Sequence, residues 1–140
     1  MAKLTSAAQL FDIKDEVFKE VEVPEWVIDG EPVTVTLKAL SGIDRDQFES
    51  SAVSINPRTG KPEPNVANLR ARLLALCIVN DDGVPIFKGD ANALKLGMKS
   101  AKAIDRLFTI AAELSGVDLM GVKSQAEDFG DDQSDSSTTD

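Results

Sequence analysis

Three features of the 140-residue sequence predict an α+β domain. Apolar and polar residues alternate with period two from Lys19 to Val23 and again from Pro32 to Leu37, the mark of half-buried strands. The period then changes at Leu40-Ser41-Gly42, and a long amphipathic stretch with helix signals at both ends runs from Ser100 to Gly116. The predicted arrangement is a small N-terminal antiparallel sheet of two or three strands, then a layer of three to four helices, then a disordered acidic C-terminal tail.

Each element has its own local reason. Residues 1–14 read as an N-terminal arm in which Leu4, Leu10, Phe11 and Ile13 are the apolar anchors of a short helix. The folded domain spans 15–123. Its first alternating run ends at Pro24; Asp29-Gly30 then makes a tight turn that joins two antiparallel strands, with Val33, Val35 and Leu37 on one face. The run from Val17 to Val23 supplies a third strand.

Ser41 caps the next element, with Asp44 three residues on and acids at Asp44 and Asp46 to complement the helix N-terminus. This helix is expected to reach about Ser54, before a loop from Asn56 to Pro64 imposed by three prolines and a glycine. Asn65 is the expected cap of a second helix that buries Val66, Leu69, Leu73, Leu76 and Cys77, a face widened by Leu74 and Ile78. The Asp82-Gly83 turn follows, then a brief helix capped by Asp90 that ends at Gly97. In the last helix Ile104, Leu107, Phe108, Ala111 and Leu114 share a face, Ser100 caps the start and Gly116 sits where a terminating glycine belongs.

Composition excludes much chemistry. There is no histidine, so no Ser-His or Cys-His nucleophile pair and no imidazole base or metal ligand; the single Cys77 allows neither an internal disulfide nor a cysteine zinc cluster. Cys77 lies in an apolar run and reads as a reduced core thiol, which fits a reducing cytoplasm. The net charge is −9, from 24 acids and 15 bases. Six of those acids (Glu127, Asp128, Asp131, Asp132, Asp135 and Asp140) fall in residues 124–140 with no base, leaving −3 for residues 1–123. Such a surface is a poor ligand for nucleic-acid phosphates, and no apolar run approaches the roughly 20 residues of a membrane span or forms a signal-peptide core. The chain is therefore expected to be soluble and unexported, with no nucleic-acid or membrane partner.

No constellation amounts to an active site, and no cofactor is expected. Around Gly60-Lys61 the phosphate-loop pattern fails, because Asn56 stands where a glycine is needed and Pro62 where a hydroxyl is needed. Asn80-Asp81-Asp82-Gly83 reads as a turn, since an EF-hand needs ligands at alternate positions and a distant glutamate. Asp44, Asp46 and Glu49 read as a helix-dipole complement before they read as catalytic carboxylates. Arg70 and Arg72 read as boundary arginines, and Trp26 as half-buried core or a binding hot spot.

The order of four segments carries a family likeness. Val23-Pro24-Glu25-Trp26, Leu40-Ser41-Gly42-Ile43-Asp44-Arg45-Asp46-Gln47-Phe48-Glu49, Leu69 to Cys77, and Lys99-Ser100-Ala101-Lys102-Ala103-Ile104-Asp105-Arg106-Leu107-Phe108 through Gly116 together resemble the tail assembly chaperones of long-tailed bacteriophages (siphophages). The likeness covers about residues 15 to 120. It rests most on the signatures Leu-x-Gly-x-x-Arg-Asp-x-Phe and Lys-Ser-Ala-x-Ala-x-Asp-Arg-Leu-Phe.

The resemblance implies a non-enzymatic protein of the infected host's cytoplasm that binds and solubilises the tape measure protein during tail morphogenesis and is absent from the virion. It also implies a longer product of programmed frameshifting that recruits the tail tube protein, and it leaves room for self-association. The acidic ending departs from the Lys/Glu-rich helical ending of that family. A holder of helical apolar clients needs apolar residues near helix ends, and Leu94, Leu96, Met98, Leu119 and Met120 are the expected partner-binding set. The rival readings are a structural tail or connector protein, which polymerises or stays with virions, and an acidic nucleic-acid mimic, which needs its acids spread over the folded surface.

Overall fold

A computed structural model describes residues 1–117. Its central sheet is built on β1 (Phe18–Ile28) and β2 (Glu31–Lys38), paired antiparallel with Val21 opposite Val35 and Val23 opposite Val33. Asp29 and Gly30 join them with φ of 52° and 79°, the left-handed pair whose twist matches that of the flanking strands. The alternation sends Val21, Val23, Val35 and Leu37 into the core while Glu20 and Glu22 stay outside. Pairing is irregular between Val23 and Val27, next to Pro24, which has no N–H for the ladder.

The third strand is not the Val17–Val23 run, which is the start of β1 itself. The position beyond β2 belongs to β5 (Ile78–Val79), where Leu37 faces Ile78 and Thr36 faces Val79. The chain leaving a buried helix thus completes the sheet.

The helical layer contains α2 (Gly42–Ser51), α3 (Leu69–Cys77), α4 (Asp90–Gly97) and α5 (Ala101–Ser115), with a fifth short helix, α1 (Ala7–Phe11), in the arm. Ser41 caps α2, its Oγ accepting from the Asp44 N–H at 3.2 Å. The helix stops at Ser51 instead of Ser54, because Val53–Ile55 is drawn into β3, paired with β4 (Pro62–Pro64). The expected proline loop is thereby a two-stranded hairpin, which tolerates proline because each strand has a free edge.

Asn65 does not cap α3. Its Nδ2 donates to the Ser51 carbonyl at 3.3 Å, and its N–H donates to the Ala52 carbonyl, so it closes the hairpin instead. The helix begins at Leu69 after a left-handed Asn68, leaving Val66 outside it and 64% exposed; Leu76 is also exposed. The face that is buried carries Leu69, Ala71, Leu73, Leu74, Ala75 and Cys77. Asp90 opens α4 as its first residue, with Gly89 at the cap and no side-chain cap bond. At α5 the caps stand as expected: Ser100 Oγ accepts from the Ala103 N–H at 3.3 Å, and Gly116 is left-handed at φ 66°.

Leu37, Leu73, Leu74, Leu107, Val23 and Cys77 are the largest fully buried side chains, and burying each large one is worth about 1.5–3 kcal/mol. Three long-range hydrogen bonds tie α5 to β1 and to the segment just after β2. Arg106 makes a bidentate pair with Glu25 on β1, both contacts 2.6 Å, and Ser115 Oγ accepts from the Leu40 N–H at 3.0 Å. The arm behaves differently from expectation: Leu4, Leu10, Phe11 and Ile13 are all exposed and anchor nothing within the domain. No helix of the described residues is long and apolar enough to cross a membrane.

Candidate functional site

The polar clusters singled out in the sequence have structural roles. Asn80 Oδ1 accepts from the N–H groups of Asp82 and Val84 at 2.9 and 3.0 Å, so Asn80-Asp81-Asp82-Gly83 is a side-chain-stapled turn. Gly60 and Lys61 close the β3–β4 hairpin, where Gly60 donates to the Asn56 carbonyl. Glu49 pairs with Arg45 at 3.3 Å on the exposed side of α2. Arg72 pins α2 and the hairpin to α3 through the Ser51 carbonyl, Ser51 Oγ and the Asn65 carbonyl. Arg70 pairs with Asp105 at 3.2 Å and lies 5.6 Å above the Phe108 ring. Among the described residues no three His, Cys, Asp or Glu side chains are grouped as metal ligands.

Three titratable groups are displaced from their ordinary range, and the bond to Glu25 raises Arg106. The hydrogen bond from Arg106, helped by its charge, holds the Glu25 carboxyl down at about 2. Burial pushes the Cys77 thiol up to about 11, although Ser115 Oγ lies 3.9 Å from its sulfur. A thiol so held is a core side chain and a poor nucleophile at neutral pH.

Two large exposed apolar side chains stand on α4 and its C-cap, besides others such as those of the arm, the β1–β2 turn, Ile43, Ile55 and Val66. Ala93 and Leu96 face inward; Leu94, 60% exposed, and Met98, 79% exposed, stand outward one helical turn apart. Leu96 departs from the expected partner set: at 4% exposure it belongs to the core, because it follows Ala93 by three residues on the inward face. Leu119 and Met120 lie outside the described residues. Asn68 Nδ2 donates to the Ala93 carbonyl at 3.0 Å and ties α4 to the start of α3.

Several grooves border α4. The first, about 480 Å³, has Val66, Asn68 and Arg70 on one side and Gly97, Ala101 and Asp105 on the other. The second, about 500 Å³, lies at the turn end of the β1–β2 hairpin and is mostly apolar, with Trp26, Val27, Ile28, Val33, Phe87 and Leu96 in its wall. Val27 and Ile28 are 58% and 65% exposed at its rim. Lys95 and Lys99 border it and form no ion pair among the described residues, whereas Glu25 is already held by Arg106. The unneutralised charge at this groove is therefore positive.

Trp26 is half-buried in the groove wall, with its Nε1 shielded from solvent and bonded to nothing among the described residues. Sequence reasoning marked Trp26 but not the groove, because Phe87 and Leu96 reach it from distant parts of the chain. Compared with protein-family models, with curated proteins and with solved structures, the chain matches none.

Proposed function

We propose that this chain is a phage tail assembly chaperone that holds helical, apolar segments of the tape measure protein in the host cytoplasm during tail assembly. The reading is supported by the family likeness of the ordered segments and by the chemistry of α4. Leu94 and Met98 are the observation that carries it: two large apolar side chains, exposed at helical spacing beside Lys95 and Lys99. An amphipathic client helix meets such a ridge with its own i, i+4 stripe, and methionine adapts its shape to irregular partners. The net acidity of the chain, −9, keeps a complex with an apolar client in solution.

Co-expression with the neighbouring large helical tape measure protein tests the proposal. The client is expected to become soluble and to co-elute with this chain, and Leu94→Asp/Met98→Asp to abolish co-elution with an unchanged melting temperature. A client that stays insoluble while this chain elutes alone or assembles into tubes overturns it in favour of a structural tail protein.

A further inference from the structure

We propose that the groove of Trp26, Ile28 and Phe87 is the seat of this chain's own acidic C-terminal segment, residues 127–132, turned back onto the domain that carries it. The inference concerns the free chain and stands or falls independently of the client proposed above, since Leu94 and Met98 are not in the wall of this groove.

The groove calls for an apolar side chain set among negative charges. Its wall is mostly apolar, and Val27 and Ile28 stand exposed at the rim. Lys95 and Lys99 border it, and Lys102 lies near enough to Glu25 to help lower that carboxyl; none of the three lysines forms an ion pair among the described residues. Glu25, the acid in the wall, is taken by Arg106 through two contacts of 2.6 Å, while Asp29 and Glu31 at the nearby turn are not in the wall. An occupant that brings one aromatic anchor and several carboxylates satisfies both the apolar wall and the lysines.

One segment of the sequence has that composition. Glu127-Asp128-Phe129-Gly130-Asp131-Asp132 places four acids around Phe129, the single large apolar residue after Val122, and contains no base. Its length of tether fits as well. Phe129 follows Val117, the last described residue, by twelve residues, a reach of at most about 40 Å. The way back from the end of α5 to Lys99, just before its start, is the length of a 15-residue helix, about 22 Å. The segment therefore reaches the groove of its own chain with length to spare. Being tethered, it meets that groove at an effective concentration of about millimolar, so at micromolar protein the contact forms within one copy and not between two.

The test is a paramagnetic label on the segment of the full chain. Gly130→Cys takes the nitroxide, and Cys77, fully buried, stays unlabelled in the native protein. In nitrogen-15 spectra at micromolar protein, the amide signals of Val27, Ile28, Lys95 and Lys99 are expected to lose most of their intensity. Lys95→Glu/Lys99→Glu reverses the charge at two exposed positions and Phe129→Ser removes the anchor without touching the described domain; each, added to the labelled chain, is expected to restore those signals. A mixture in which one copy carries the label and another the isotope is expected to show no loss. Groove signals that keep their intensity in the labelled chain, a loss that persists in either variant, or a loss that appears in the mixture would overturn the proposal, the last in favour of a contact between copies.

Discussion

Ser115→Ala isolates the bond that ties the end of α5 to the sheet. Ser115 is 8% exposed, and its Oγ accepts from the Leu40 N–H at 3.0 Å across 75 residues of chain. Alanine fits the space but leaves that N–H without an acceptor. An orphaned donor costs about 1–3 kcal/mol, and because Leu40 is only partly buried the lower part of the range applies, about 1–2 kcal/mol. For a domain of this size that lowers the melting temperature by roughly 3–10 °C. Thermal unfolding followed by circular dichroism reads the shift, and urea unfolding should show a lower midpoint at unchanged slope. Thr109→Ala is the control: its Oγ1 donates to the Asp105 carbonyl at 3.1 Å on the exposed side of the same helix, and its loss should stay within about 0.5 kcal/mol. Equal melting of Ser115→Ala and the unaltered chain would refute the assignment of a structural role to this bond.

Other perturbations test other parts of the fold. Leu73→Asp places an unpaired charge at a fully buried position, costing several kcal/mol against a stability of about 5–15, and should abolish cooperative melting; a soluble, cooperatively melting variant would refute the placement of the core. Glu25 is depressed from 4.5 to about 2, so its contribution to stability is complete above about pH 4.5 and disappears as pH falls toward 2. The melting-temperature gap between the unaltered chain and Arg106→Gln should therefore be widest above that upper value and close at the lower; a gap independent of pH would exclude the pair as its source. Gly97→Ala adds a Cβ that collides with the Asn68 side chain and breaks its bond to Ala93, so the usual gain of about 0.5–1 kcal/mol from replacing a helical glycine should be absent or reversed, and Asn68→Gly should restore it. Cys77 should resist a thiol-reactive disulfide reagent at neutral pH and react fully in denaturant; rapid reaction of the native chain would place the thiol outside the core.

Local signals were legible in the sequence and long-range ones were not. Asp29-Gly30, Ser41, Ser100 and Gly116 act on the backbone within a few residues, and each sits where its chemistry requires. β5 escaped because Ile78 continues the apolar pattern of α3, and only its pairing with Leu37 makes it a strand. The β3–β4 hairpin escaped because proline weighs against strands, a rule that relaxes where an edge is free. Val66 and Asn65 look like the start of α3 by spacing, but the hairpin claims Asn65 first. Leu94 and Met98 were identifiable as apolar residues at a helix end; that Leu96 between them is core follows only from the face α4 turns toward the domain. The groove at Trp26 is assembled from β1, β2, the loop before α4, and α4 with the turn after it, and no single stretch of sequence announces it.

The bond between Leu40 and Ser115 also sets a clock on biosynthesis. Chains are made at about 5–20 residues per second, so the hairpin of β1 and β2 exists for about 4–15 s before the last turn of α5 has been added. During that interval Val21, Val23, Val35 and Leu37 form an uncovered apolar face, and a two-stranded hairpin is marginal in water. The nascent chain thus exposes a face of the future core until α5 has been made.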